Sequence, residues 1–396
     1  MNLETFINAV FQGSDLQTIN ELVKEKNENP SSKFSKVMLT TLDKTVNKDL
    51  DRNAFDRVSM ILQCIQQFCK HNFQESATLI EQGLVSKMGL WFERATEFLN
   101  TAELESDHSL MVLVEHFYDT SVALCNYKEG IQQLLDSFIL RLGFLATHKK
   151  RAHHLRVEAL KTLNSIMSLV PWEKRCRFCS SEELYSLTED LAKAIAQAGD
   201  YEIQVGISEA LCRMVKKKDR NVLVHKWFDD KAMVEAFKEI NVKEFETDCR
   251  KFLNDLNKGL GDKRSVYTFP CIAAFADLDE LKKPADSNLE KFWIDFNIGS
   301  QSITFLIDNS AGSLWDTVTL AKDEVNVYSL KEVEDQKVLI FNLKNSQRIH
   351  SNLVTKVKIL FEPQFDIEGV LFMVFGDRNM RPSLACSTET SLPMLV

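Results

Sequence analysis

Proline and glycine are scarce in this chain, 7 and 13 among 396 residues. Collagen-like and low-complexity chains need several times more of both, so those classes are excluded. No apolar run comes near the roughly 20 residues of a membrane-spanning helix. Met1–Val10 lacks the basic start and long apolar stretch of a secretory signal. An excess of positive charge is missing too. The 48 Lys and Arg stand against 57 Asp and Glu, for a net charge of −9, which argues against a dedicated binder of naked DNA or RNA but leaves room for a local basic face. With 44% apolar and 27% charged residues, wholesale disorder is excluded as well.

Catalytic signatures are equally absent. There is no Gly-x-x-x-x-Gly-Lys-Ser/Thr phosphate loop, no His-Glu-x-x-His and no Gly-x-Ser-x-Gly elbow. Gly259-Leu-Gly261 lacks the third glycine of a dinucleotide fingerprint and follows a helical pattern where a strand is required. Glu244, Glu246 and Asp248 read as a solvated helix face opposite Phe245, Cys249 and Phe252. The expectation is a protein that is not an enzyme, with no cofactor, no metal and no small-molecule substrate.

Nine cysteines, an odd number, lie mostly inside apolar patterns, and no glycosylation sequon is present. Both point to a reducing compartment. Cys176-Arg-Phe-Cys179, with His153 and His154 upstream, has the residue types of a zinc site. Trp172, Cys176 and Cys179 nevertheless fall at i, i+4, i+7, the spacing of a buried helical stripe. Adjacent histidines also point apart on a helix, so packed core thiols are the expectation.

What the chain does contain is periodicity of two kinds. Val58, Ile61, Leu62, Ile65, Phe68 and Cys69 recur at steps of three and four, as on one face of a helix. The spacing returns from Leu84 to Leu99, Ile131 to Leu145, Leu155 to Val170, Ile203 to Met214, and Phe245 to Leu256. Gly83, Gly130 and Gly199-Asp200 punctuate the connectors, and Pro171 suits the start of a short helix. No heptad register persists and no fixed 33- or 34-residue repeat is visible, which leaves an irregular armadillo- or HEAT-like array.

After Lys258 the period drops to two. Phe292, Ile294, Phe296 and Ile298 alternate with Trp293, Asp295 and Asn297, and Gly299–Ser302 reads as a hairpin turn into Ile303, Phe305 and Ile307. Short strands are expected at 315–320, 325–330, 337–343 and 355–361. Pro363 then stops the last strand, and Phe365, Ile367, Val370, Leu371 and Val374 predict one closing helix over an open barrel end. The predicted architecture is therefore α+β and multidomain. An all-α armadillo-like domain occupies 1–258 and a linker 259–264. A small all-β pleckstrin-homology-like barrel with a C-terminal capping helix occupies 265–380, followed by a disordered tail over 381–396.

Two basic clusters are the candidate interaction surface. Lys149, Lys150 and Arg151 with Arg156 lie at a helix junction, and Lys216, Lys217, Lys218 and Arg220 follow another helix C-terminus. Lysines there also meet the helix dipole favourably, which is the plainer explanation for them.

Four stretches resemble the synaptonemal complex protein 2 family, and within it the "like" branch. They are Gly199-Asp-Tyr-Glu-Ile-Gln-Val-Gly-Ile-Ser-Glu-Ala-Leu-Cys-Arg-Met214, Glu244-Phe-Glu-Thr-Asp-Cys-Arg250, Gly261-Asp-Lys-Arg264 with Tyr267-Thr-Phe-Pro-Cys271, and Phe292-Trp-Ile-Asp-Phe-Asn-Ile-Gly-Ser300. The resemblance spans about 80 to at least 310. It implies a non-enzymatic scaffold of meiotic chromosomes in the nucleus, on the axis or lateral element, with an association with oocytes and centromeres. It also implies a helical domain followed by a module similar to the middle domain of the FACT large subunit. Implied partners are axis or centromeric proteins, with histones as a candidate for the barrel. The long extension and coiled coil of family members are not visible here, so the chain reads as an N-terminal fragment.

Two rival classes remain. A lipid-binding pleckstrin-homology module wants basic residues in its first hairpin loops, and 298–302 and 308–312 carry none. A nuclear or cytosolic armadillo adaptor wants a ladder of Trp and Asn, and only Trp91, Trp172 and Trp227 occur in the helical half.

Overall fold

A computed structural model describes residues 36–376 apart from 72, 102, 105, 106 and 310–314. The expected tail at 381–396 and part of the loop 308–312 lie outside the described residues. The chain divides into two compact units, one of residues 1–195 and 205–238, the other of 196–204 and 239–396.

The first unit is helical. The stripe from Val58 to Cys69 is buried on the helix Phe55–His71, and Leu84, Met88, Trp91, Phe92 and Ala95 are buried on Leu84–Phe98. Apolar burial of this kind, about 1.5–3 kcal/mol for each large side chain, is what holds helices too short to persist alone. Local chemistry sets their ends. The Asp107 carboxylate accepts the Leu110 N–H at 2.8 Å and caps His108–Leu124.

Packing partners recur at a step of three helices. Lys36–Leu50 packs on Leu84–Phe98, Phe55–His71 on His108–Leu124, and His108–Leu124 on His153–Leu169. That step is what a three-helix armadillo-type repeat produces. Polar clamps reinforce it, as where Trp91 Nε1–H and Lys87 Nζ donate to the two oxygens of Asp43 at 2.8 and 2.7 Å.

Two local expectations need correction. The stripe from Ile131 to Leu145 belongs to two helices, Lys128–Ser137 and Ile139–Thr147, joined at Phe138. Phe138 is buried and stacks on Phe92 with centroids 5.2 Å apart. Gly130 sits inside the first of these helices and not in a connector. A Cβ there would meet the Leu124 carbonyl oxygen at 2.4 Å, so close approach explains the glycine.

The second unit carries nine strands among the described residues: β1 Val266–Cys271, β2 Ala273–Ala276, β3 Asp279–Leu281, β4 Phe292–Asn297, β5 Ser302–Ile307, β6 Asp316–Ala321, β7 Val325–Val333, β8 Gln336–Ile349 and β9 Asn352–Phe361. They form two antiparallel sheets, ordered β1-β4-β5-β6 and β3-β2-β9-β8-β7. The expected barrel is thus not closed by hydrogen bonds. The chain crosses from one sheet to the other at Ile272, whose N–H donates to Leu360 O at 2.7 Å. Pro270 is tolerated because β1 is an edge strand, paired only with β4.

The expected closing helix is Ile367–Phe375, capped by Asp366, which accepts the Gly369 N–H at 3.1 Å. Ile367, Val370, Leu371 and Val374 enter the core that both sheets share. Phe375 lies 5.4 Å from Tyr328 and 5.7 Å from Phe341, ring to ring.

Candidate interaction site

The eight basic residues singled out from the sequence have different fates. Lys149 and Lys150 are exposed in the turn before His153–Leu169, and Lys216, Lys217 and Lys218 are exposed around the start of the helix Lys217–Trp227. The second group therefore sits at a helix N-terminus, where lysine meets the unfavourable end of the dipole and only Asp219 in the same turn counters it. The other three are buried. Arg151 donates to Leu99 O and Asn100 Oδ1, Arg156 Nε donates to Ala146 O at 3.1 Å, and Arg220 lies 5.7 Å over the Phe237 ring. Their guanidinium groups hold helices together.

Cys176 and Cys179 correct a further expectation, for both are exposed and Trp172 is 39% exposed. Trp172–Cys176 is a 3-10 turn, not α-helix, so the i, i+4, i+7 stripe does not form, and Arg175 is the buried residue there, 3.8 Å from the Trp172 ring. Arg175 donates to Val170 O and Arg213 O, and Phe178 fills the interior beside it. Among the described residues no three His, Cys, Asp or Glu side chains come together as a metal site. No described helix is long and apolar enough to cross a membrane.

The most developed polar arrangement lies in the second unit and escaped the sequence reading. Alternation on β4 assigns Asp295 and Asn297 to the side away from the core, yet they are only 1% and 0% exposed. Arg250, on the helix Phe245–Gly259, donates from both Nη atoms to the Asp295 carboxylate at 2.7 and 3.0 Å. Thr268 Oγ1–H donates to the same carboxylate at 2.7 Å. The guanidinium stacks 3.7 Å over the Tyr201 ring. Burial works against its charge, but the neighbouring Asp295 carboxylate more than offsets that and raises the Arg250 pKa. Burial also drives the Tyr201 phenol well above its ordinary range, despite the nearby cation.

The network continues from there. The Tyr201 N–H donates to Asn297 Oδ1 at 2.9 Å, and Asn297 Nδ2 donates to Thr304 Oγ1 at 3.0 Å. Asp200 accepts the Ile203 N–H at 3.1 Å and the Ser300 hydroxyl at 2.6 Å. Gly199, at φ +74°, accepts the Gly299 N–H at 2.8 Å, and the backbones meet so closely that a Cβ on Gly199 would lie 2.9 Å from Gly299 Cα. Gln204 and Asn257 exchange side-chain amide bonds at 2.9 Å each way. Three of the four stretches that carry the family resemblance, 199–214, 244–250 and 292–300, thus each supply members of one buried network. Polar residues beside an apolar stripe were the only signal of it in the sequence.

Beside Arg250, the outer side of the same helix and the strands β1 and β4 enclose a groove of about 780 Å³. Lys251, Lys258, Arg264 and Lys291 line it together with Trp293 and Phe269. Asp255 and Glu290 are its acidic members.

Comparison with known proteins places these units. The family description "Synaptonemal complex 2 armadillo-repeat-like domain" matches residues 2–174, and "Synaptonemal complex 2 Spt16M-like domain" matches residues 266–377. A Xenopus laevis protein, synaptonemal complex protein 2-like, is 53% identical over 379 residues, covering 95% of this chain and 38% of that protein. The Mus musculus synaptonemal complex protein 2-like is 41% identical over 392 residues, covering 98% and 47%. Human synaptonemal complex protein 2 is 34% identical over 391 residues, covering 96% and 25%. The chain therefore spans less than half the length of these curated relatives. A solved structure titled "Synaptonemal complex protein" superposes with a TM-score of 0.80 at 34% identity, covering 96% of this chain and 97% of that one.

Proposed function

Because the chain belongs to the synaptonemal complex protein 2 family, we propose that it serves as a non-enzymatic structural part of meiotic chromosomes, in the nucleus, on the chromosome axis or at centromeres. Its partners in this reading are axis or centromeric proteins, and histones are candidates for the second unit. The observation that supports a scaffold is the use made of buried charge. Arg250 and Asp295 neutralise each other, and Arg151, Arg156 and Arg175 donate to internal carbonyls. Reactive groups are thereby spent on holding shape, and surface is left as the means of action. Exposed Lys149, Lys150, Lys216, Lys217 and Lys218 are cations of the first unit that this reading offers to an acidic partner, with an attraction that weakens as salt rises.

Expression of the tagged chain in meiotic cells tests the reading. Continuous or centromeric signal along chromosome axes is expected, and diffuse signal that ignores the axis sinks it. Incubation with core histones at low salt tests the histone part separately, and failure to retain them removes that partner.

A further inference from the structure

We propose that the groove between the helix Phe245–Gly259 and strands β1 and β4 docks a short acidic peptide segment of another protein, in which Asp or Glu residues flank an aromatic or aliphatic side chain. This site stands on geometry alone and does not depend on the chromosomal reading.

Three observations converge. The first is unspent positive charge. Some surface cations elsewhere are paired, as in Lys87–Asp43, Arg94–Asp51 and Arg213–Glu209. Lys251, Lys258, Arg264 and Lys291 face one groove, and among the described residues none of them forms an ion pair. Two are held over aromatic rings instead: Arg264 lies 4.1 Å from the Tyr267 ring and Lys291 lies 5.9 Å from the Trp293 ring. Rings beneath cations keep the side chains extended and ready for an anion.

The second is a donor and an acceptor left without partners. Arg264 Nε and Asn254 Oδ1 are buried in the wall of this groove, and neither has a hydrogen-bond partner among the described residues. Buried polar atoms are met in most proteins by a protein group, an ordered water or a ligand, and these two lie where a ligand can reach them. A peptide backbone supplies both needs at once, a carbonyl for the Arg264 N–H and an N–H for the Asn254 oxygen. A phosphate chain offers acceptors only.

The third is the mixture of linings. Trp293 and Phe269 add apolar surface to a lining that also carries the cations, which suits a peptide with an apolar side chain among its carboxylates. Asp255 and Glu290 interrupt the positive rim and would repel an unbroken polyanion, whereas a peptide can place a neutral residue beside them. The net charge of −9 on the chain does not oppose docking, because charges farther away than about 8 Å are largely screened at physiological salt.

Selection of a random peptide library on phage against the purified chain tests the proposal, followed by anisotropy titration of the enriched peptides. Enrichment of Asp and Glu around an aromatic or aliphatic residue is expected. Lys251→Ala with Lys291→Ala should weaken the enriched peptides roughly tenfold, since two exposed ion pairs are lost. Lys331→Ala, exposed on β7 and outside the groove, should leave them unchanged. Both lysines of the double variant are exposed, and an unaltered melting curve confirms that it folds. Lack of acidic enrichment overturns the proposal, as does equal binding by the double variant. Displacement of the peptides by a short DNA duplex that binds more tightly, with the same loss on Lys251→Ala and Lys291→Ala, would overturn it in favour of a nucleic-acid site.

Discussion

Replacing Asp295 by Asn tests whether the Arg250–Asp295 pair is the keystone of the second unit. The substitution keeps the shape of the side chain and removes only its charge, leaving the Arg250 guanidinium buried without a counter-ion. The two side chains are 6% and 1% exposed, so water cannot replace what is lost. Breaking one member of a buried pair costs about 3–5 kcal/mol. Tyr201, 3.7 Å beneath the guanidinium, retains part of the stabilisation, which places the expectation near the lower end, about 3 kcal/mol. For a unit of this size that lowers the melting midpoint by about 6–12 °C. The transition to follow is that of the unit containing both residues, since the two units need not melt together. Removing both charges, as Arg250→Met with Asp295→Asn, should recover most of the loss, because a neutral pair carries no stranded ion. Circular dichroism melts of the four members of the cycle decide it. A shift of less than about 2 °C for Asp295→Asn, or a double variant as unstable as the sum of its singles, refutes the reasoning.

Gly199→Ala should destabilise by about 2 kcal/mol or more, read from denaturant unfolding, because φ +74° disfavours a Cβ and the Gly299 backbone occupies its space. Iodoacetamide labelling of the native chain followed by mass spectrometry should modify Cys176 and Cys179 well before Cys64, Cys125 and Cys212, which are buried with thiols that burial pushes up to about 12, about 12 and about 11. Early labelling of Cys64 would contradict the packing of Phe55–His71. Burial holds His116 below the ordinary histidine pKa, against the pull of Asp119 and Glu115. The unfolded chain therefore binds a proton first, and stability is complete above about pH 6.5 and lost as pH falls below it. Melting midpoints should drop from pH 7.5 to 5.5, and less steeply in His116→Gln. Equal slopes would refute that role, although His148, also lowered by burial, keeps some slope in both.

Helix and strand identity was legible because it depends on near neighbours. A three- or four-residue apolar step favours a helix, and the stripes from Val58 to Leu256 became helices, save where Phe138 splits the one ending at Leu145 and where Trp172, Cys176 and Cys179 fall on an exposed 3-10 turn and a short helix. The alternation at Phe292 and the stop at Pro363 were equally local, and β4 and the closing helix Ile367–Phe375 follow from them. β1, β2 and β3 were not foreseen. Val266–Leu281 contains a proline, several alanines and an edge strand of three residues, so no alternation marks it.

Patterns of apolar spacing along the chain were enough to establish a helical array followed by a β unit, since burying a face is a demand each segment makes within its own few turns. Which polar groups would meet was settled in three dimensions. Arg250 and Asp295 are 45 residues apart and Gly199 and Gly299 are 100 apart, and nothing nearby in the chain announces either contact. The 3-10 geometry at Trp172–Cys176 likewise reversed which of Arg175 and Cys176 faces water. Long-range pairing of charge costs nothing in local conformation and leaves no local trace, so folding alone brings the network and the groove beside it into being.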